Sequence, residues 1–310
     1  MTIYFKKVIQ KMLEIIEKIK REKGVDNYYG KPILQEQEGN DLISQLLELD
    51  EPVMIARMGN VELSCISNYL KRKENNKVKY KESVKFTMLN NAGFFPSTDK
   101  MLDRFSEEFI EHLANVDVMG VWFNKNEDCI CHKYCESAKL VRLRCIEPYY
   151  HIRPWSAKLK GKKVLVIHPF QETIENQYKN KRENIFDNQE ILPLFHLETI
   201  KAVQSNANSK TIFRNWFQAY QYMCAEILKK DFEIAIIGAG AYGLPLASYI
   251  KKLGKKAIHI GGATQILFGI KGKRWDNHEV ISKLYNQYWV RPSESETPQG
   301  YQAVEDGCYW

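Results

Sequence analysis

Two hydrophobic rhythms alternate along this chain from about residue 50 to residue 290. Short apolar runs read as strands: "PVMIA" (52–56), "VDVMGVW" (116–122), "GKKVLVIHPF" (161–170), "EIAIIG" (233–238) and "KKAIHIGG" (255–262). Val164 to Ile167 is continuous and apolar, as a strand buried on both faces of a parallel sheet requires. "TIKAVQSN" (199–206) is a further strand or strand edge. Between these runs, residues 41–49, a stretch from about residue 61 and the aromatic-rich 211–230 carry helical spacing. Strand alternating with helix predicts an α/β fold: a Rossmann-like, doubly wound, mostly parallel sheet with flanking helices.

The first 23 residues repeat apolar side chains at Phe5, Val8, Ile9, Met12, Ile16 and Ile19, with lysines on the other face. Two uses fit: a helix packed on the domain, or a basic amphipathic helix making peripheral contact with an anionic membrane surface. Three glutamates dilute the basic face and favour the first. The expected division is an N-terminal helix and loop (1–40), a single Rossmann-like α/β domain carrying any catalysis (41–291), and an extended polar tail (292–310) packed back on it.

Composition narrows the class. With 44% hydrophobic and 27% charged residues the chain is ordinary globular material. No run reaches the ~18 apolar residues of a membrane span, and the N-terminus lacks a signal-peptide core, so the expectation is a cytoplasmic protein, peripheral at the inner face of the membrane only if the N-terminal helix is of the membrane-contacting kind. Seven cysteines, an odd number, fit reduced thiols. The cluster Cys129, Cys131, His132 and Cys135 has no second ligand pair to complete a zinc site. A net charge of +7 without basic blocks suits an anionic substrate, and no nucleic-acid-binding signature accompanies it.

Gly238, Gly240 and Gly243 follow a strand in G-x-G-x-x-G spacing, with Ala241 and Tyr242 between them. Such a turn brings backbone amides and a helix N-terminus to a phosphate. A dinucleotide site also wants a carboxylate about 20 residues on, at the end of the next strand. That strand end offers His259, Gly261 and Gly262 instead. Phosphate binding survives the test better than NAD.

Earlier, "IARMGNVEL" sets Arg57, Gly59, Asn60 and Glu62 where a strand turns into a helix. Arg57 could clamp a diphosphate, and Asn60 with Glu62 could ligate Mg²⁺ or Mn²⁺. Equally, Asn60 could cap the helix, with Glu62 placed near its positive end. His168 ends its strand where a base or phosphate ligand would stand, or is a histidine satisfied by nearby backbone. Gln265, Lys271 and Arg274 follow Gly261 and Gly262 as further groups for an anion.

"IARMGNVEL" resembles the Arg-x-Gly-Asp-x-Glu-type motif of the GT-D fold glycosyltransferases. "LKGKKVLVIHPFQETIENQY", "LPLFHLETIKAVQ", the stretch from "IIGAGAYG" to "GKRW" and the closing "GCYW" are similar to the same group. The resemblance spans most of residues 40–310. It implies a transferase that uses a nucleotide-diphosphate sugar, acts on a glycan or lipid-linked glycan acceptor, and serves bacterial surface-glycan synthesis. It also implies a metal and donor-diphosphate role for Glu62, with Asn60 standing where the family has Asp. A single Glu62 cannot comfortably hold metal and act as base, so Glu62 and His168 are the two candidate bases. The alternatives are an NAD(P)-dependent oxidoreductase built on the glycine turn, or a non-catalytic nucleotide-binding subunit of polysaccharide assembly.

Overall fold

A computed structural model describes residues 25–207 and 209–310. The amphipathic segment 1–23 lies outside the described residues. The first described elements are β1 (Asn27–Tyr28) and β2 (Lys31–Leu34), joined by a tight turn with Tyr29 and Gly30 at positive φ. The "YYGKP" stretch, expected as a loop, is therefore a hairpin at the sheet's edge. Helix α1 (Glu36–Glu48) follows, then β3 (Met54–Arg57) and α2 (Asn60–Glu74). Helices α3 (Glu82–Asn90) and α4 (Asp99–Leu113) lead to β4 (Val118–Val121), α5 (Glu127–Tyr134) and β5 (Lys139–Arg142). The second half runs β6 (Lys163–His168), α6 (Gln171–Ile185), β7 (His196–Lys201), α7 (Trp216–Leu228), β8 (Ile234–Ile237), α8 (Gly243–Lys252), β9 (Lys256–His259) and the short α9 (Thr264–Leu267).

The nine strands form one sheet in the order β1-β2-β5-β4-β3-β9-β8-β6-β7. Every pairing is parallel except β1 with β2. This is the doubly wound α/β architecture that the alternating pattern predicts. Successive residues of β6 enter opposite cores: Val164 and Val166 belong to the hydrophobic cluster that includes Ile174, Ile236 and Ile258, Leu165 and Ile167 to the one that includes Trp216, Ile237 and Leu246. Such two-sided burial is why these strands read as unbroken apolar runs.

Parallel pairing brings the carboxyl ends of β3, β4, β6, β7, β8 and β9 to one edge. There β3 hands the chain outward to β4, while β9 meets β3 from the other half. A crevice between diverging halves at the carboxyl ends is where such sheets bind ligands. Among the described residues no helix is long and apolar enough to cross a membrane.

Candidate functional site

A cavity of about 360 Å³ occupies that edge. Its wall is contributed by the turn after each of the six strands, and by Glu305, Tyr309 and Trp310 of the tail.

On the β3 side, Gly59 precedes α2, and Glu62 is that helix's third residue. A Cβ at position 59 would stand 1.7 Å from Glu62 Oε2. Glycine there leaves room for the carboxylate to fold back over the helix start, toward the positive end of its dipole. Glu62 is 7% exposed and borders the cavity. Burial raises its pKa, a shift opposed by its own backbone amide and by the Arg57 guanidinium. Arg57, the last residue of β3, holds its guanidinium 4.5 Å above the Trp122 ring. Among the described residues it forms no close ion pair, but its charge acts on two carboxyls, Glu62 and Glu147, and it borders the cavity.

Trp122 is fixed from two directions. Its indole Nε1 donates to the Met58 carbonyl at 2.9 Å, and its backbone amide donates to Glu127 Oε2 at 3.0 Å. Glu127, fully buried, also accepts the amides of Phe123 and Asn124 and the Tyr28 hydroxyl. Burial pushes this carboxyl up to about 7. Phe123 and Asn126 stand at positive φ in the same loop, a shape that Glu127's collected amides hold together.

Two buried imidazoles border the cavity from the other half of the sheet, each 4% exposed. The Phe170 amide donates to His168 Nδ1 at 3.0 Å. A backbone amide can only donate, so the neutral His168 ring carries its proton on Nε2. His259 Nδ1 lies 3.2 Å from the Ile237 carbonyl oxygen. A carbonyl can only accept, so His259 is protonated on Nδ1 and keeps a lone pair on Nε2. Burial lowers both pKa values to about 3, with Arg57 adding to the effect at His259.

The glycine turn has a packing reason as well as a ligand-facing one. A Cβ on Gly238 would lie 2.6 Å from His168 Cδ2, and one on Gly243 would lie 2.1 Å from His259 Cε1. Both imidazoles sit where these side chains are missing. Several amides of the turn already donate inward: Gly238 to Ile167, Ala241 to Ala92, Tyr242 to Ala239 and Gly243 to Gly240. Gly240 lines the cavity at φ +52°, and a Cβ there would stand 3.0 Å from the Ala92 carbonyl oxygen.

Of the residues singled out by sequence, Arg57, Gly59, Asn60, Glu62, His168, Gly238, Gly240, Gly261, Gly262, Gln265 and Arg274 meet around the cavity. Ala241, Tyr242 and Gly243 fall behind its wall. Tyr242 is core, stacked on Trp216 at 4.8 Å, with its hydroxyl 3.2 Å from Ser205 Oγ. Lys271 points elsewhere, its ammonium 5.3 Å above the Tyr285 ring. Gln265 holds the tail by donating to the Tyr309 carbonyl, along with those of Ile270 and Lys271. Arg274 pairs with Glu305 and lies 4.8 Å over the Tyr309 ring.

Sequence reasoning passed over Trp122, Phe170, Gln204, Asn206 and His259 as site residues. The strand-end positions of Trp122 and His259 were the available signal. Glu305, Tyr309 and Trp310 reach the wall through tertiary packing, for which no local pattern speaks.

For the expected Mn²⁺ or Mg²⁺ the donor set is thin. Asn60 is exposed, Glu62 is turned onto Gly59, and among the described residues no three His, Cys, Asp or Glu side chains assemble into a metal site. Arg57 already supplies positive charge beside Glu62. These residues do not fit a resident cation. The cysteine cluster likewise holds free thiols, Cys131 and Cys135 buried and Cys129 bonded to the Tyr29 hydroxyl at 2.9 Å.

No family model matches the chain, and no curated protein matches it. Two solved structures are similar. One is described as "The highly conserved domain of unknown function 1792 has a distinct glycosyltransferase fold", with 11% identity, 87% of this chain and 93% of that chain covered, and a TM-score of 0.44. The other is a selenomethionine-substituted structure of domain of unknown function 1792, at 12% identity, the same coverage and a TM-score of 0.43. A likeness of this size carries nothing about chemistry, which has to come from the cavity itself.

Proposed function

We propose that this chain is a glycosyltransferase moving a sugar from a nucleotide-diphosphate donor to a hydroxyl of a growing bacterial surface glycan, free or lipid-linked. The observation that carries the reading is the cavity's arrangement of charge. The Arg57 guanidinium, whose charge bears on the carboxyls of Glu62 and Glu147, and a neutral His168 with its proton on Nε2 border the same space as Glu62, a carboxyl held above its ordinary pKa. Diphosphate oxygens accept from Arg57 and from His168 Nε2–H, and the guanidinium compensates the charge that grows on the departing nucleoside diphosphate. The bond from the sugar's anomeric carbon to phosphate oxygen breaks, and a bond to the acceptor oxygen forms. Glu62 takes the acceptor hydroxyl's proton, a role for which a raised carboxyl pKa is suited. His168, whose Nδ1 is engaged and whose Nε2 is protonated, serves as a donor and leaves the base's role to Glu62. No step is routed through a metal.

The oxidoreductase reading loses support from the same geometry, since His259 stands where the ribose-binding carboxylate is required and much of the glycine turn donates inward. The test is a panel of nucleotide sugars incubated with the protein and a hydroxyl-bearing glycan, reading the nucleoside diphosphate released, with NADH binding measured alongside. Consumption of one donor is the expected result. No consumption of any donor together with tight NADH binding would overturn the reading.

A further inference from the structure

The two cavity histidines have opposite polarity, and neither can exchange it without breaking its backbone contact. His168 Nδ1 receives the Phe170 amide, while His259 Nδ1 donates to the Ile237 carbonyl. One ring therefore offers the cavity an N–H and the other a lone pair. Ile167, Ile237 and His259 share one register and one face across β6, β8 and β9, so His168, one residue beyond Ile167, leaves from the opposite face and the two rings border the cavity from different sides. They reach the cavity on either side of the bare Gly238–Gly243 turn that makes room for both. Phosphate oxygens at neutral pH carry lone pairs, so they accept from His168 and are repelled by His259 Nε2. A hydroxyl has a proton to give and satisfies His259.

We infer that His259, through Nε2, accepts a hydrogen bond from a hydroxyl of the donor's sugar, and that this contact with His168 at the diphosphate fixes which way round the donor lies. The inference rests on the glycosyltransferase reading and adds to it a residue and an orientation. Burial supports it, because a ring this hard to protonate keeps its lone pair throughout the working pH range. The contact is uncharged and orienting: the sugar hydroxyl keeps its proton, and no bond is made or broken at His259.

The test has two arms. Long-range ¹⁵N–¹H correlation spectra of the histidine rings report the tautomers directly. The expected pattern is Nε2–H for His168 and Nδ1–H for His259, and the reverse at His259 overturns the assignment. In the second arm, His259→Asn keeps an N–H for the Ile237 carbonyl and removes the Nε2 acceptor. Its affinity for the nucleotide sugar should fall about tenfold, the scale of one net hydrogen bond, while affinity for the bare nucleoside diphosphate holds. His259→Gln, which returns an oxygen near the lost Nε2, should recover part of the difference. Equal weakening toward both ligands, or none, overturns the inference while the glycosyltransferase reading stands. A wild type that binds no nucleoside diphosphate overturns that reading and the inference with it. If His259→Asn does not fold, the tautomer spectra of the wild type decide.

Discussion

Two helices leaving the carboxyl edge of the sheet begin under a carboxylate, and the two carboxylates differ in everything but position. At the start of α6, Glu296 from the tail is fully buried. It accepts the amides of Glu172 and Thr173 and the hydroxyls of Thr173 and Ser293. At the start of α2, Glu62 folds over Gly59 and faces the cavity, with burial raising its pKa and Arg57 near it. The same helix-dipole attraction places both. Saturated with donors, a carboxylate becomes a structural plug. Left short of partners at a cavity wall, it keeps an affinity for a proton that chemistry can use. Glu296 also occupies the anion site that α6 would offer beside His168, which leaves Arg57 and His168 as the groups for a diphosphate on that side.

The contrast can be broken at either end. Glu62→Gln should lower turnover about 10²- to 10⁴-fold, the usual range for a lost general base, without lowering the melting temperature. The sign follows from the raised pKa: the folded protein disfavours ionised Glu62, so a neutral substitute does not destabilise it. For the same reason the wild-type rate should drop as pH is lowered, starting above the ordinary carboxylate range, and Glu62→Gln should lack that limb. A normal rate for the variant would remove Glu62 from the mechanism. Glu296→Ala should instead lower folding stability by about 3 kcal/mol, because it strands buried amide and hydroxyl donors. Denaturant titration reads this, and the protein that remains folded should keep its turnover.

Gly59→Ala sharpens the comparison without touching a charge. The backbone at Gly59, φ −70° and ψ 145°, suits any residue. The added methyl would displace the Glu62 carboxylate, and a catalytic group moved by about 1 Å loses on the order of 10²-fold in rate. A folded Gly59→Ala with full activity would separate the fold-back of Glu62 from its function.

The smallest effect concerns Glu127, which anchors the loop carrying Trp122. With its carboxyl pushed up to about 7, the folded state holds the proton longer than the unfolded chain. Its contribution to stability is present at low pH and is lost as pH rises from about 4.5 through about 7. The melting temperature of Glu127→Gln relative to wild type should rise across that interval. A difference that is flat with pH would contradict the assignment.

Legibility in the sequence followed burial. β6 and β8 could be read because both faces of each are covered, leaving apolar runs with no polar interruption. β2 and β5 escaped: each has four residues, and Lys31, Lys139 and Arg142 at their ends hide the short buried centres. β7 was read late, at 199–206 rather than His196–Lys201, because only its second half is well buried. In the site, Arg57 and His168 were visible because a polar side chain at the end of an apolar strand stands out, and Glu62 because it opens the helix that follows such a strand. The glycine turn was visible too, but its spacing could not reveal that two of its glycines make room for imidazoles. Nor could any local pattern show that Tyr242 stacks into the core, or that the tail folds back until Trp310 reaches the cavity.

The most direct test of the central claim is a calorimetric titration of nucleoside diphosphates into the wild type and Arg57→Ala. One nucleoside diphosphate should bind the wild type and lose about 100-fold or more in affinity when the guanidinium is removed, in line with truncating a hydrogen-bonded charge. Equal affinity for both proteins would place the diphosphate away from Arg57 and contradict the account.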